Sequence, residues 1–459
     1  MNKGWRAALT LSTIGPVLFL VPGQSVDAQA PEPNPRLLPV ATTSQVPLTA
    51  EYDALDVPSI AAGGSYLDPT TGVQIYKLTS ATYPTPDSAC WPPDPNRRPV
   101  WGHDYTEGGN EVSLPYHGNT RAVVVRQEGG CGGPWWLVDF TAGVGVSNPR
   151  QLTGNLAPWS DLAFTFSVDP STPYYAYVAN FGGAIRRIDI RTMIEAPGDG
   201  WPITDAGPNP FEYPTWLHQS RGAFRLDDDL FVWMRGSSGD TVVGYQPRTR
   251  TLKLRTDPEL NEPRIDRAGR YVGLAVCAVG SVCGISVWDW LTDSIPWEQR
   301  SGDYPNIPFT HNASLRRRWV DVDTGLTWPG EFARFIPDVP DSGSHLGGPA
   351  NATLVHGSGN WIQYPGNLDS QWALFTHYGS LQPCPPDCSD WLAPGGMVFT
   401  TARPKGPRHL LGHPYNTSGV YNYFTFAKLA SDGRYVLFTS DMNGSGRSDV
   451  FLAEVPTRP

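Results

Sequence analysis

Nine histidines stand in the 459-residue chain. Five of them sit in short aromatic and polar runs, each placed before a strongly apolar stretch. The runs are Trp101-Gly102-His103-Asp104-Tyr105, Trp216-Leu217-His218-Gln219, His345-Leu346-Gly347-Gly348, His356-Gly357-Ser358-Gly359 and Gly412-His413-Pro414-Tyr415. Imidazole nitrogens bind divalent ions such as Mn or Zn, and a side-chain amide can add an oxygen. His103, His218, Gln219 and His413 are therefore a candidate metal set, with His345 or His356 able to replace one imidazole. The same residues also suit metal-free removal of a proton next to a carboxylate, which needs a base and a cation for the developing enediolate. His103 with Tyr105, His413 with Tyr415, or Tyr421 with Tyr423 would supply the base. Arg221 or Arg264 would neutralise the carboxylate, and Trp216 would contact the substrate. A third chemistry is stacking alone: 17 tryptophans and 19 tyrosines allow sugar platforms at Trp135-Trp136, Trp361 and Trp372. Each reading has a plainer rival. A lone histidine in a polar channel is commonly hydrogen-bonded filler, and aromatics are what stacked sheets are packed with.

The elements that would position these residues are clearest at Lys428 to Val455. Ser431-Asp432-Gly433 makes a tight turn in which glycine takes positive φ without steric cost. Arg434 to Ser440 is short, β-branched and aromatic, as a strand buried on both faces should be. Asp441 to Ser448 reverses the chain, and Asp449 to Val455 returns as a strand. The rhythm recurs at Thr120–Arg126 with Pro134–Phe140, and at Pro173–Val178 with Ala184–Ile190. It returns at Leu230–Met234 with Thr241–Tyr245, Tyr271–Cys277 with Cys283–Trp290, and Gln371–Tyr378 with Gly395–Thr401. A period of about 45 to 60 residues in four-stranded units predicts an all-β fold, a single β-propeller. Seven blades are expected, with six the alternative, because Asp303 to Ser344 is either an irregular blade or an insertion. Gly72 to Thr79 has no local partner and the last hairpin lacks a fourth strand. The two should pair, so that the N-terminal strand closes the ring.

The unit SDGRYVLFTSD…SDVFLAEV resembles the repeats of the TolB-like bacterial propellers. That resemblance implies the fold and leaves function open, since propellers host many chemistries. Three histidines and a glutamine on a propeller axis resemble oligogalacturonate lyase. In that family the metal polarises a uronate carboxylate while a base takes the adjacent proton. Propeller-type ulvan lyases are the corresponding precedent for the metal-free chemistry.

Residues 1–28 read as a signal peptide: Lys3 and Arg6 form a positive start, Ala7 to Val21 is apolar, and Val26-Asp27-Ala28 offers a small-residue cleavage site. Export to the outside or the periplasm is expected, with no membrane span after cleavage. Residues 29–50 read as a disordered Pro-rich linker and 51–459 as the propeller domain. Gly (48) and Pro (46) supply the turns of such a fold. A net charge of −10 gives no footprint for nucleic acid, leaving a polysaccharide, an oligosaccharide or a protein as partner. The Arg316-Arg317-Arg318 run reads as a solvated strand end. Six cysteines in an exported chain imply three disulfides. Cys277–Cys283 and Cys384–Cys388 are favoured locally, and Cys90 and Cys131 remain. Asp441 to Ser445 lacks the glutamate of a calcium loop and reads as a polar turn. Ser358 has no helix after it to make a nucleophile elbow. The sequons at Asn312, Asn351, Asn416 and Asn443 matter only in a glycosylating cell. The sequence thus points to a secreted propeller directed at extracellular polysaccharide, a lyase on uronate-containing glycans being the sharper form. A binding or protein-interaction scaffold is the alternative.

Overall fold

Short runs of β-branched and aromatic residues dominate the chain, and most find their hydrogen-bond partners in the next run along. In the structure, a computed structural model, the described residues are 33–42, 44–86, 100–102, 110–128, 133–158, 163–180, 184–204, 215–221, 229–235, 240–265, 271–277, 283–299, 312–315, 318–322, 332–335, 344–345, 355–358, 372–377, 395–401, 408–417 and 425–458. They belong to one unit, Glu32–Pro459. The signal segment lies outside the described residues, as do Cys90, Cys131, Cys384 and Cys388.

Among the described residues there are six four-stranded antiparallel sheets and one five-stranded sheet. The first sheet runs Val100–Gly102, Arg121–Glu128, Trp135–Thr141, Gly145–Leu152. The second runs Phe164–Phe166, Tyr175–Ala179, Ile185–Asp189, Ile194–Glu195. The third is Thr215–Arg221, Asp229–Arg235, Thr241–Gln246, Thr251–Thr256. The fourth is Leu260–Ile265, Tyr271–Cys277, Cys283–Asp289, Ser294–Gln299. The segment expected as an irregular blade or insertion forms the fifth: Asn312–Leu315, Arg318–Val322, Phe332–Phe335, Ser344–His345. Val355–Ser358, Trp372–His377, Met397–Thr401 and Arg408–Gly412 make the sixth. The backbone register sets Cys277 directly opposite Cys283, as a cross-hairpin bridge requires.

In the central strands whose side chains are described, the apolar runs are unbroken because both faces are buried. Successive residues of one strand belong to different cores. Val123 packs with Leu437 and Val450 of the seventh sheet, and Val124 with Phe164 and Val178 of the second. Phe231 packs with Tyr177 on one side, while Val232 packs with Leu274 on the other. Close approach between sheets fixes some residue types. A Cβ on Gly244 would come within 2.5 Å of the Trp290 ring.

The seventh sheet takes strands from both ends of the chain. Its order is Ser65–Leu67, Gln74–Lys77, Asp449–Glu454, Tyr435–Ser440, Lys428–Leu429. Ile75 lies opposite Ala453 and Lys77 opposite Phe451. The turn at Gly433 has φ 74°, as the Ser-Asp-Gly sequence demands.

The expectation of a disordered linker over 29–50 fails where that stretch is described. Pro33 bridges to Thr457 and Val40 to His409, Asn34, Leu38 and Ala41 are buried, and Thr49–Ala54 is a short helix. Prolines here spare backbone donors at the outer rim, and the few apolar residues between them find a groove. Tyr52 stacks on Tyr415 at 3.8 Å between ring centroids.

A buried ionic group joins the chain ends. Lys77 Nζ lies 3.2 Å from the Asp449 carboxylate, Arg447 Nη2 lies 2.8 Å from it, and both Lys77 and Asp449 are fully buried. Thr79 Oγ1 donates to Asp449 at 3.0 Å. Lys77 also donates to the Val57 carbonyl at 2.9 Å, and Arg447 to that of Pro58 at 3.0 Å. Burial pushes the Asp449 carboxyl up and the Lys77 amine down, against their mutual attraction. The group is therefore costly to assemble and costlier to break. Asp449→Asn should lower unfolding free energy by about 3–5 kcal/mol in urea melts; a loss near zero would show that the two cations rehydrate without disturbing the sheet.

Three phenols add a pH dependence. Burial pushes Tyr76, Tyr83 and Tyr116 up from 10.0 to about 12. Their folded pKa is raised, so the unfolded chain ionises first. Stability should be intact below pH 10 and fall between about 10 and 12. Thermal melts with phenolate absorbance would show unfolding and ionisation rising together, whereas phenolate appearing before unfolding would contradict it.

Candidate functional site: the converging first strands

Residues that could act together must lie where neighbouring sheets converge, which the contacts between strands identify. Thr215–Arg221 touches Phe164–Phe166 on one side and Leu260–Ile265 on the other; Asn312–Leu315 touches Val355–Ser358. These are the first strands of their sheets, so the first-strand edges face one another. Polar side chains join them. Lys428, on the edge strand Lys428–Leu429 of the seventh sheet, forms a buried ion pair with Glu111 beside the first sheet. The Asn110 backbone donates to Thr165 Oγ1 at 3.1 Å, and its carbonyl accepts from the Phe166 amide at 2.8 Å. The inner edges of the seventh, first and second sheets are thus held together by buried polar contacts, each charge having its partner.

Trp216, His218, Gln219 and Arg221 all fall on Thr215–Arg221. Arg264 falls on the adjacent first strand, opposite Gly273. His356 is on the first strand of the sixth sheet. The sequence places His103 and Tyr105 directly after the first strand Val100–Gly102, but both lie outside the described residues, as do Tyr421, Tyr423 and Trp361.

His413 and Tyr415 must be reassigned. They follow Arg408–Gly412, the fourth strand of the sixth sheet, three strands away from Val355–Ser358. Both are fully buried. His413 Nε2 is 3.2 Å from the Gln45 carbonyl, and its amide donates to Asp68 at 3.0 Å. Tyr415 stacks under Tyr52, and burial drives its phenol well above the usual range. They anchor the N-terminal segment. His345 likewise sits on the outermost strand of its sheet.

Of the candidate metal set, His413 lies beyond the outermost strand of the sixth sheet, His218 and Gln219 are neighbours on a first strand, and His103 lies outside the described residues. Among the described residues no group of three His, Cys, Asp or Glu side chains could hold a metal ion. Of the sugar platforms, Trp135 and Trp372 are core residues and Trp136 is half-buried. Asn416 is buried, so its sequon is closed. Asp441 accepts from the Thr417 amide at 2.8 Å and the Gly444 amide at 3.2 Å, confirming a polar turn.

Sequence reasoning missed Lys428–Glu111. A lysine before an apolar run carries no mark of its partner, which lies 317 residues away. The structural role of His413 has a direct check: His413→Ala should cost about 1–3 kcal/mol of stability in urea melts. A variant as stable as the wild type would show that the buried imidazole does not anchor the N-terminal segment.

No protein-family model matches the chain and no curated protein matches it. Solved structures do. Oligogalacturonate lyase in complex with manganese aligns over 86% of this chain and 99% of its own, with 13% identity and a TM-score of 0.54. The Neurospora crassa Pan2 WD40 domain aligns over 78% and 90%, with 8% identity and a TM-score of 0.44. The RRP9 WD40 repeats align over 72% and 91%, with 10% identity and a TM-score of 0.43. At these identities the likeness concerns architecture, and with the sheet topology it establishes a β-propeller fold.

Proposed function

We propose that the protein is an exported propeller that acts on a uronate-containing polysaccharide at its converging first strands, by β-elimination. The observation that carries this reading is the placement of Trp216, His218 and Arg221 on one first strand and Arg264 on the touching first strand of the next sheet. Guanidinium groups suit carboxylates through paired hydrogen bonds, and an aromatic on the same strand suits a sugar ring. In the elimination, a base takes the proton next to the carboxylate, the bond to the leaving sugar oxygen breaks, and a double bond remains in the uronate ring. His103 and Tyr105, adjoining the first strand of the first sheet in sequence, are assigned as base and proton donor. The signal segment at 1–28 supports export, and the manganese-bound lyase with the same fold supports the substrate class.

A second reading is supported by the burial of His413 and Tyr415, two of the four residues expected to be catalytic: a propeller that binds the glycan without cleaving it. Polygalacturonate and other uronate polymers would decide between them, monitored by the ultraviolet absorbance of the unsaturated product. Turnover is expected, with His103→Ala lowering kcat roughly 10²–10⁴-fold and Arg221→Ala or Arg264→Ala raising KM. Binding without any product selects the second reading. Neither binding nor product rejects both. Chelator treatment followed by addition of Mn or Zn would show whether the elimination is metal-assisted.

A further inference from the structure

An open cleft of about 560 Å³ lies between the second and third sheets. Its inner wall is aromatic. Tyr177, Trp201 and Phe231 form a closed triangle, with ring centroids 4.8 Å (Tyr177–Trp201), 4.6 Å (Tyr177–Phe231) and 5.0 Å (Trp201–Phe231) apart. All three are nearly buried, so the wall is rigid.

The Arg187 guanidinium lies 4.6 Å above the Tyr175 ring. Its Nε donates to the Ala196 carbonyl at 3.0 Å, and its Nη2 stands 3.7 Å from the Asp199 carboxylate. The Asp199 side chain is itself 91% exposed, an acceptor held at the rim.

Trp201 is brought to this wall by a turn that few residues could make. Gly198, Asp199 and Gly200 all have positive φ, at 103°, 52° and 89°. Two backbone bonds between Gly198 and Trp201, of 3.1 and 3.0 Å, lock it. A non-glycine residue held in this region marks a conformation that the surroundings enforce.

On the other side of the turn is a second cleft of about 410 Å³, lined by Trp201, Tyr245, Arg250 and Leu252. Trp201 and Arg250 line both clefts. Arg250 is exposed, sits at φ 54°, and forms no ion pair among the described residues. Asp169, on the first cleft, is already engaged: its two oxygens accept from the Ser171 amide and hydroxyl at 2.8 Å each.

The chemistry is specific in kind. An apolar wall favours the C–H faces of a ring, Asp199 accepts hydroxyls, and an unpaired guanidinium at the junction favours an anion. Two neighbouring clefts, each in the size range of ligand sites, suit a ligand with several linked units. We propose that the two clefts form one site for a linear acidic oligosaccharide, with a carboxylate on Arg250 and adjacent sugar rings on either side of Trp201. The site is built from the second to fourth strands of the two sheets and the turns that adjoin them, so it is separate from the first-strand edges. It shares with the function proposed above only the class of ligand, and would hold a long glycan while another stretch lies at those edges.

Calorimetric titration of the full chain with tetragalacturonate, and with maltotetraose as a neutral match in length, tests it. Wild-type protein should bind the acidic tetramer and not the neutral one, more weakly as salt rises. Arg250→Glu, an exposed substitution, should leave the melting temperature unchanged and remove one equivalent of binding. Arg250→Ala should weaken that equivalent roughly tenfold. If the first-strand site also binds, Arg221→Ala removes a different equivalent, so failure of either site is seen alone. Unaltered binding in Arg250→Glu, equal binding of the neutral tetramer, or no binding by the wild type overturns the proposal.

Discussion

The structure depends on one pairing, that of Gln74–Lys77 with Asp449–Glu454. Each propeller sheet buries its faces on its neighbours and has no independent core. A sheet deprived of its fourth strand would leave backbone donors unpaired where the chain has little else to offer them. The pairing could in principle slip, since hydrogen bonds alone do not set register. The Lys77–Asp449–Arg447 group removes that freedom, because any shift would strand a charge in the interior. Its bonds to the Val57 and Pro58 carbonyls then carry the same constraint into the N-terminal segment.

Much of this architecture could be read from the chain. Two-sided burial leaves a direct trace, an unbroken apolar run such as Tyr435–Ser440, because both sets of alternating side chains are inside. The Ser-Asp-Gly turn announced its own glycine conformation. The N-terminal strand was legible by bookkeeping: one strand without a partner and one hairpin short of a strand. What could not be read was the order within the weaker sheets. The chain around Gly412-His413-Pro414-Tyr415 looks like an inner-strand opening, yet the Arg408–Gly412 strand before it is the outermost of its sheet. Position in the sheet depends on which run pairs with Val355–Ser358, and that pairing leaves no local signature.

The Pro-rich stretch after residue 29 misled for a related reason. Low apolar content argues against a core of its own, and correctly so. It says nothing about borrowing one, and Leu38 and Tyr52 bury themselves in a core that the sixth and seventh sheets already provide. The clefts beside Trp201 were invisible for another reason. Their lining comes from five separated stretches between Asp169 and Leu252, none of which carries a motif. That Trp216, Arg221 and Arg264 fall on first strands was legible because each stands shortly before a strong apolar run, and such an order is what a sequence displays.

The contact between Tyr76 and Glu454 spans 378 residues, and this bears on how the molecule is born. During synthesis the amino-terminal strand emerges long before its partner exists. Closing so long a loop costs little more than closing one half its length, but the partner must first leave the ribosome. Until then the early sheets lack the neighbour that covers them, and the whole waits on its last few residues. A polypeptide whose last sheet takes strands from both ends cannot complete itself early. The exposure of sticky half-sheets is the accompanying hazard, which makes such a chain a natural client for chaperones.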